Sequence, residues 1–328
     1  MSRPLVSVCI PTRNRASLLR EALSSALAQS YCPVEIIVAD NASTDDTSRV
    51  VEDVMKRDAR VRYIRHACDI GMAANWRAAV EASKGQFFSI LNDDDLYSPD
   101  FVRQMADILV RHPKVDWAFG NHLVIDPNGR ENVAASHRHT QMSGRDKLRE
   151  GLITDIPSVV FINGSCSIQS CLFRRVSVDR LGGVNGNAGT AVDWDLFLRL
   201  CANPSSQAYF VKRNVAYYRL HESQHTLGHG GSVNSINNLL SLVSALRSVK
   251  FENHSAAERV RRIRLGGVAA RIARLGPRTD AHLYFRDIWR IFPWNPRRLG
   301  SASLATSYAV VGWLSTRRQN IGGSQKCL

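Results

Sequence analysis

The chain reads as an α/β protein: a doubly wound, mostly parallel central sheet followed by a basic α-helical C-terminal extension. Three observations predict this class. Through the first hundred residues, apolar strand-like runs alternate with helix-period segments, the β-α-β-α order of a parallel sheet. Polar clusters at 11–15, 40–43 and 92–95 each follow one of those runs, at the strand ends where such sheets bind ligands. Charge is unevenly placed: of a net +14 over 328 residues, residues 240–328 hold 16 basic against 4 acidic side chains, whereas residues 1–239 hold 27 against 25. Length and this break in charge suggest two regions, 1–234 and 235–328.

The first strand is expected at 6–10, a continuous apolar run suited to burial on both faces. The loop Pro11-Thr-Arg-Asn-Arg15 leads into a helix on which Leu18, Leu19, Ala22, Leu23, Ala26 and Leu27 recur at helical spacing. A second strand at 34–39 ends in Asp40-Asn-Ala-Ser43, and Ser43 or Thr44 is expected to cap a helix starting near Asp45 and Asp46. The third strand falls at 61–65. A helix over 72–83 is expected to stop with Gly85 as its C′ residue. A fourth strand, 87–91, runs into Asn92-Asp-Asp-Asp95, and Pro99 opens a helix at 100–111. Neither GxGxxG nor GxxxxGK[ST] follows the first strand, which disfavours a dinucleotide site and a P-loop.

Further on, strand segments at 117–120 and 122–125 precede the turn Asp126-Pro-Asn-Gly129. Residues 130–150 are polar and read as a long loop. A strand is expected at 170–174, a helix at 193–201, and a hairpin from 208–211 and 215–218. Gly228, Gly230 and Gly231 mark a break, and from about 235 the sequence reads as helical and basic. Apolar residues at 44% and charged residues at 22% exclude collagen-like and wholly disordered chains. Seven cysteines without a CxxC pair argue against a disulfide framework or a Cys-rich zinc site, and for reduced thiols in a cytoplasmic protein. No signal-peptide pattern is read at the N-terminus, and the apolar stretch 302–314 falls short of the ~20 residues of a spanning helix.

Three successive carboxylates after a buried strand repel one another unless a cation sits among them. Mg²⁺ or Mn²⁺ held by one or two carboxylates plus substrate phosphates is one economical arrangement; an acidic turn capping the helix near Pro99 is the plainer one. The surrounding segments favour the first. Val6-Ser-Val-Cys-Ile-Pro-Thr-Arg-Asn-Arg15, Ile36-Ile-Val-Ala-Asp-Asn-Ala-Ser-Thr-Asp45, Asp69-Ile-Gly-Met-Ala-Ala-Asn-Trp76, Leu91-Asn-Asp-Asp-Asp-Leu-Tyr-Ser-Pro99 and Val192-Asp-Trp-Asp-Leu-Phe-Leu-Arg199 occur in order. Together they resemble the family 2 glycosyltransferases, which have the A-type nucleotide-sugar-binding fold, across residues 5–225.

The resemblance implies site residues. Pro11, Thr12 and Asn14 would line the nucleotide pocket, and Asp40 would accept a hydrogen bond from the base. Asp94 would ligate the metal, with Asp93 on the ribose side or acting through water; Asn92 stands where the family often has Asp. Asp193 corresponds to the catalytic base, with Val192 where the family usually has Glu. Asp also suits a helix N-cap there. Arg219 would counter phosphate charge and His221 would bind metal or diphosphate. His225 and His229 continue the spacing of four, although Gly228 and Gly230 oppose a long helix. Trp76 and Trp194 read as packing residues.

The resulting expectation is a metal-dependent, inverting glycosyltransferase. It would move a sugar from a nucleoside-diphosphate sugar to a hydroxyl of a saccharide or lipid-linked acceptor, in surface polysaccharide or glycolipid assembly. The alternatives are a nucleotidyltransferase and a non-catalytic basic protein that binds membrane or nucleic acid. The first usually has a Gly-rich phosphate loop, which Pro11–Arg15 lacks. Residues 256–275 mix Arg259, Arg262, Arg264, Arg271 and Arg274 with aliphatics, without interleaved aromatics. That pattern favours an anionic membrane surface over nucleic acid, or else a helix packed on the catalytic domain.

Overall fold

A computed structural model describes residues 3–156, 159–160 and 164–221. Its strands are β1 (Val6–Thr12), β2 (Val34–Asp40), β3 (Val61–Arg65), β4 (Phe87–Ile90), β5 (Leu96–Tyr97), β6 (Trp117–Ile125), β7 (Gly151–Leu152), β8 (Cys171–Arg174) and β9 (Ala208–Arg219). Its helices are α1 (Ala16–Leu27), α2 (Thr47–Met55), α3 (Met72–Ala82), α4 (Phe101–Arg111), α5 (Val133–Met142), α6 (Arg175–Asp179) and α7 (Val192–Ala202). The strands form one sheet in the order β3-β2-β1-β4-β8-β6-β9-β5, with β7 paired to β9. β1 to β4 are mutually parallel, β8 runs against β4 and β6, and β6 and β9 are parallel.

Helices cover both faces of the sheet. Side chains alternate along a strand, so Val6, Val8 and Ile10 of β1 pack with α1 and α4 on one face, while Cys9 packs with α3 and α7 on the other. Trp76 lies buried in the second of these cores, and Trp194 packs partly buried against it. The whole of β1 is buried, as a strand flanked on both sides and covered on both faces must be.

Several local expectations change. The cap of α2 is neither Ser43 nor Thr44: Asp46 holds the N-cap position, and the Asp45 carboxylate accepts from Thr47 N at 3.1 Å and Thr47 Oγ1 at 2.6 Å. Ser43 Oγ instead accepts from Asn14 N at 2.9 Å. Gly85 is not the C′ residue of α3, which ends with Ser83 at its C-cap. Its lack of a side chain serves close approach: a Cβ there would lie 2.5 Å from Ser7 Oγ. The polar stretch after Gly129 holds helix α5, capped by Asn132, whose Oδ1 accepts from Ala135 N at 3.0 Å. Its inner face is only Ala135 and Ser136, too small to give an apolar period. The expected hairpin at 208–218 is a single strand, β9, parallel to β6. Lys212, Arg213 and Asn214, which resemble a turn in sequence, form an exposed bulge within it.

Among the described residues, no helix is long and apolar enough to cross a membrane. The boundary at 234/235, the basic helical region, His225 and His229 lie outside the described residues.

Candidate functional site

Strand order reverses between β1 and β4, and the polar loops after these two strands open side by side, where doubly wound sheets bind ligands. Thr12 closes β1 and Asn92–Asp95 follow β4. Asp93, Asp94 and Asp95 are only 5%, 8% and 0% exposed, so three carboxylates share one buried turn. Asp95 is spent on structure: Oδ1 accepts from Arg219 N at 3.0 Å and Oδ2 from Asn92 Nδ2 at 3.0 Å. Asn92 thereby closes the turn.

Asp93 and Asp94 are bound by side chains from the end of β1 and the loop after it, and from the residues after β9. Thr12 Oγ1 donates to Asp93 Oδ2 at 2.8 Å. Arg15 Nη1 bridges the pair, 3.0 Å from Asp93 Oδ1 and 2.7 Å from Asp94 Oδ2. His221 Nε2 lies 3.1 Å from the same Asp94 oxygen. Burial pushes Asp93 up to about 6, with the Asp94 charge adding to it against the opposing pull of Arg15. Burial also acts on Asp94, but the His221 hydrogen bond and the Arg15 charge outweigh it and hold this carboxyl below its usual value. Proton and cation preferences are thus split between neighbouring carboxylates.

Asn14 and Asp40 shape the adjoining wall. Asn14 has φ of 51°, a left-handed conformation that Asn tolerates, and its Oδ1 accepts from Thr44 N at 2.7 Å. It ties the loop after β1 to the loop after β2. Asp40, at the end of β2, is fully buried; Oδ1 accepts from Ser43 N at 2.8 Å and Oδ2 from Tyr63 Oη at 2.6 Å. With no exposed surface, Asp40 braces this wall. Pro11 lies within β1, aligned with Ala39, and so belongs to the strand and not to the loop.

Arg219, expected to counter phosphate charge, has its side chain inside the fold. It is fully buried; Nε donates to the Asp94 carbonyl at 2.9 Å, Nη1 to the Pro127 carbonyl at 3.0 Å and Nη2 to Glu21 at 2.6 Å. It locks the acidic turn to α1 and to the turn after β6. His221, two residues on, is aimed at Asp94 by that anchorage.

Asp193 is the second residue of α7, not its N-cap, which is Ala191. Its Oδ1 accepts from Trp194 N at 2.8 Å, and burial pushes the carboxyl up to about 6. Sequence reasoning assigns no role to Arg15, which closes the segment Pro11–Arg15, or to Asp69, whose Oδ1 accepts from Asn41 Nδ2 at 2.5 Å and from Gly71 N at 2.9 Å and whose Oδ2 pairs with Arg13.

Among the described residues, no three His, Cys, Asp or Glu side chains stand together ready to hold an ion. Asp94 and His221 do converge, and two protein donors fit a hard divalent cation whose remaining positions come from ligand phosphates and water.

The strand order and the acidic turn at the switch point are those expected of a glycosyltransferase A-type fold. Residues 7–181, more than half of the chain, match the model of glycosyl transferase family 2, and the chain belongs to that family. It is 29% identical over 229 residues to an uncharacterised glycosyltransferase of Rickettsia typhi, covering 68% of this chain and 66% of that one. It is 27% identical over 198 residues to chondroitin synthase of Escherichia coli, covering 60% and 26%. The chain therefore spans less than two thirds of these relatives' own length. Among solved structures it resembles S. aureus TarS in complex with UDP-GlcNAc, with a TM-score of 0.61, 16% identity, and 79% and 71% of the two chains covered. It also resembles the mannosyltransferase PcManGT from Pyrobaculum calidifontis in complex with GDP-Man and Mn²⁺, with a TM-score of 0.58, 17% identity, and 95% and 87% covered. At such identities the likeness is one of fold.

Proposed function

We propose that this protein transfers a sugar from a nucleoside-diphosphate sugar to a hydroxyl of a saccharide or lipid-linked acceptor, with inversion, in polysaccharide or glycolipid assembly. The observation that carries the reading is the convergence of Thr12, Arg15, Asp93, Asp94 and His221 at the β1–β4 switch point of a family 2 fold. The complexes of the two structural neighbours with UDP-GlcNAc and GDP-Man support a donor of that class.

Asp94 and His221 would hold Mn²⁺ or Mg²⁺, which when bound neutralises charge on the diphosphate leaving group. Thr12 fixes the Asp93 carboxylate. Asn14 and Asp40 keep the pocket wall in shape, and Arg219 positions the acidic turn. Asp193 takes the proton from the acceptor hydroxyl as its oxygen attacks the anomeric carbon and the bond to the diphosphate breaks. A single displacement needs no covalent nucleophile, and its product has the inverted anomeric configuration. Residues 235–328 would hold the enzyme at the anionic cytoplasmic face of a membrane.

The test is a panel of nucleotide sugars incubated with the protein and Mn²⁺, with and without EDTA, scored for slow donor hydrolysis. Release of a nucleoside diphosphate from one donor, abolished by EDTA, is the expected result. Pyrophosphate release from a nucleoside triphosphate would favour a nucleotidyltransferase. No turnover, together with no nucleotide-induced rise in Tm, would favour a binding protein.

A further inference from the structure

We propose that Arg15 is a built-in cation that competes with the divalent ion for Asp93 and Asp94, so that metal and nucleoside diphosphate bind together and not separately. The inference rests on the metal reading above. One oxygen carries the argument. Asp94 Oδ2 is 3.1 Å from His221 Nε2 and 2.7 Å from Arg15 Nη1. An ion held by His221 and by the Asp94 oxygen nearest to it would bond that oxygen at a distance of ~2 Å. The guanidinium now hydrogen-bonds the same atom, and two cations cannot share it at close range without strong repulsion.

The second contact, 3.0 Å to Asp93 Oδ1, shows that Arg15 serves the pair. Two adjacent buried carboxylates need compensation, and Arg15 supplies it within the chain. Its side chain is 17% exposed, against 8% and 11% for the two carboxylates, so it reaches solvent more than they do. A diphosphate offers the guanidinium what the carboxylates offer it: paired anionic oxygens that match its planar fork. When the diphosphate arrives, Arg15 can exchange carboxylate for phosphate and leave Asp94 to the ion. Each ligand then raises the other's affinity, as linkage requires.

The test is Mn²⁺ binding to the full-length protein, read by the electron paramagnetic resonance signal of free Mn²⁺ and by calorimetry, alone and with UDP or GDP. Arg15→Gln keeps length and hydrogen bonding but removes the charge. It should bind Mn²⁺ alone about tenfold more tightly than the wild type, the scale of one lost charge-assisted hydrogen bond. Its further gain on adding nucleotide should shrink. Arg15→Lys, which keeps the charge, should retain the wild-type pattern. A merely structural role for Arg15 predicts weaker binding in both variants. If Arg15→Gln binds Mn²⁺ alone no more tightly while the wild type binds it normally with nucleotide, the competition is overturned. The wild type gives a check that needs no variant: equal Mn²⁺ affinity with and without nucleotide also overturns it. No Mn²⁺ binding by the wild type with either nucleotide would instead remove the metal reading on which the inference stands.

Discussion

Asp193 projects from the first turn of α7 with its carboxyl raised by burial to about 6. A base with that value is ionised at neutral pH yet keeps enough affinity for a proton to assist a hydroxyl as it attacks. If Asp193 is the proposed base, its protonation stops the reaction, so turnover should fall as pH drops through about 6, by about tenfold per pH unit below it. Asp193→Asn should lower turnover ~10²-fold or more, while the Tm rise induced by nucleotide and Mn²⁺ stays near that of the wild type. Retention of more than about a tenth of turnover would show that another group takes the proton. Asp94 is proposed to act at a different step, through the ion. Asp94→Ala should weaken nucleoside-diphosphate binding in Mn²⁺ on the order of tenfold or more, and change little in EDTA, because its part is played through the ion. Equal loss under both conditions, read by calorimetry, would make Asp94 a direct contact to the nucleotide or a support of the turn.

At the scale of elements, the join between α3 and β4 depends on a glycine. Gly85 N donates to Ser7 Oγ at 2.8 Å, and Ser7 Oγ donates to Glu35 at 2.7 Å, so three segments meet at one hydroxyl. A Cβ at position 85 would lie 2.5 Å from that hydroxyl and 2.7 Å from Ser7 N, inside contact distance of backbone that cannot move freely. Gly85→Ala should therefore cost ~1–3 kcal/mol, measured by urea unfolding, with nucleotide affinity of the folded protein unchanged. A variant as stable as the wild type would show that the α3–β4 turn can yield. This half of the molecule was also the most legible. β1, β2, β4 and the helices packed on them follow from apolar runs and helical periods because they bury whole faces, while β3 buries only Val61 fully. α5 escaped because Ala135 and Ser136 suffice for its inner face, and β9 read as a hairpin because its bulge uses turn-like residues. At the site, the acidic turn and His221 were legible as chemistry attached to strand ends. That Asp40 and Arg219 would be buried was not, since burial there depends on Tyr63, Glu21 and the turn after β6, distant in sequence. Arg15 is in sequence only one residue of the polar loop after β1, and its pairing follows from the fold, which brings Asp93 and Asp94 against it.

For the whole molecule, the distribution of charge raises the question of where the enzyme works. Residues 1–239 are nearly neutral, whereas residues 240–328 hold 16 basic against 4 acidic side chains. A catalytic region without long-range attraction for anions is thus followed by one that has it. Between 256 and 275 the aliphatics Val260, Ile263, Val268 and Ile272 recur among the arginines, the mixture suited to the boundary between headgroups and acyl chains. A lipid-linked acceptor would be met at such a surface. Full-length protein should therefore cosediment with vesicles containing anionic lipid and not with neutral ones. Raising salt from about 0.1 M to 1 M shrinks the Debye length from ~10 Å to ~3 Å and should release it. If the aliphatic stripe instead packs on the catalytic region, the arginines face water and binding to either kind of vesicle should be weak. Equal binding to neutral and anionic vesicles would assign the attraction to apolar contact alone, and the charge would then have no part in docking.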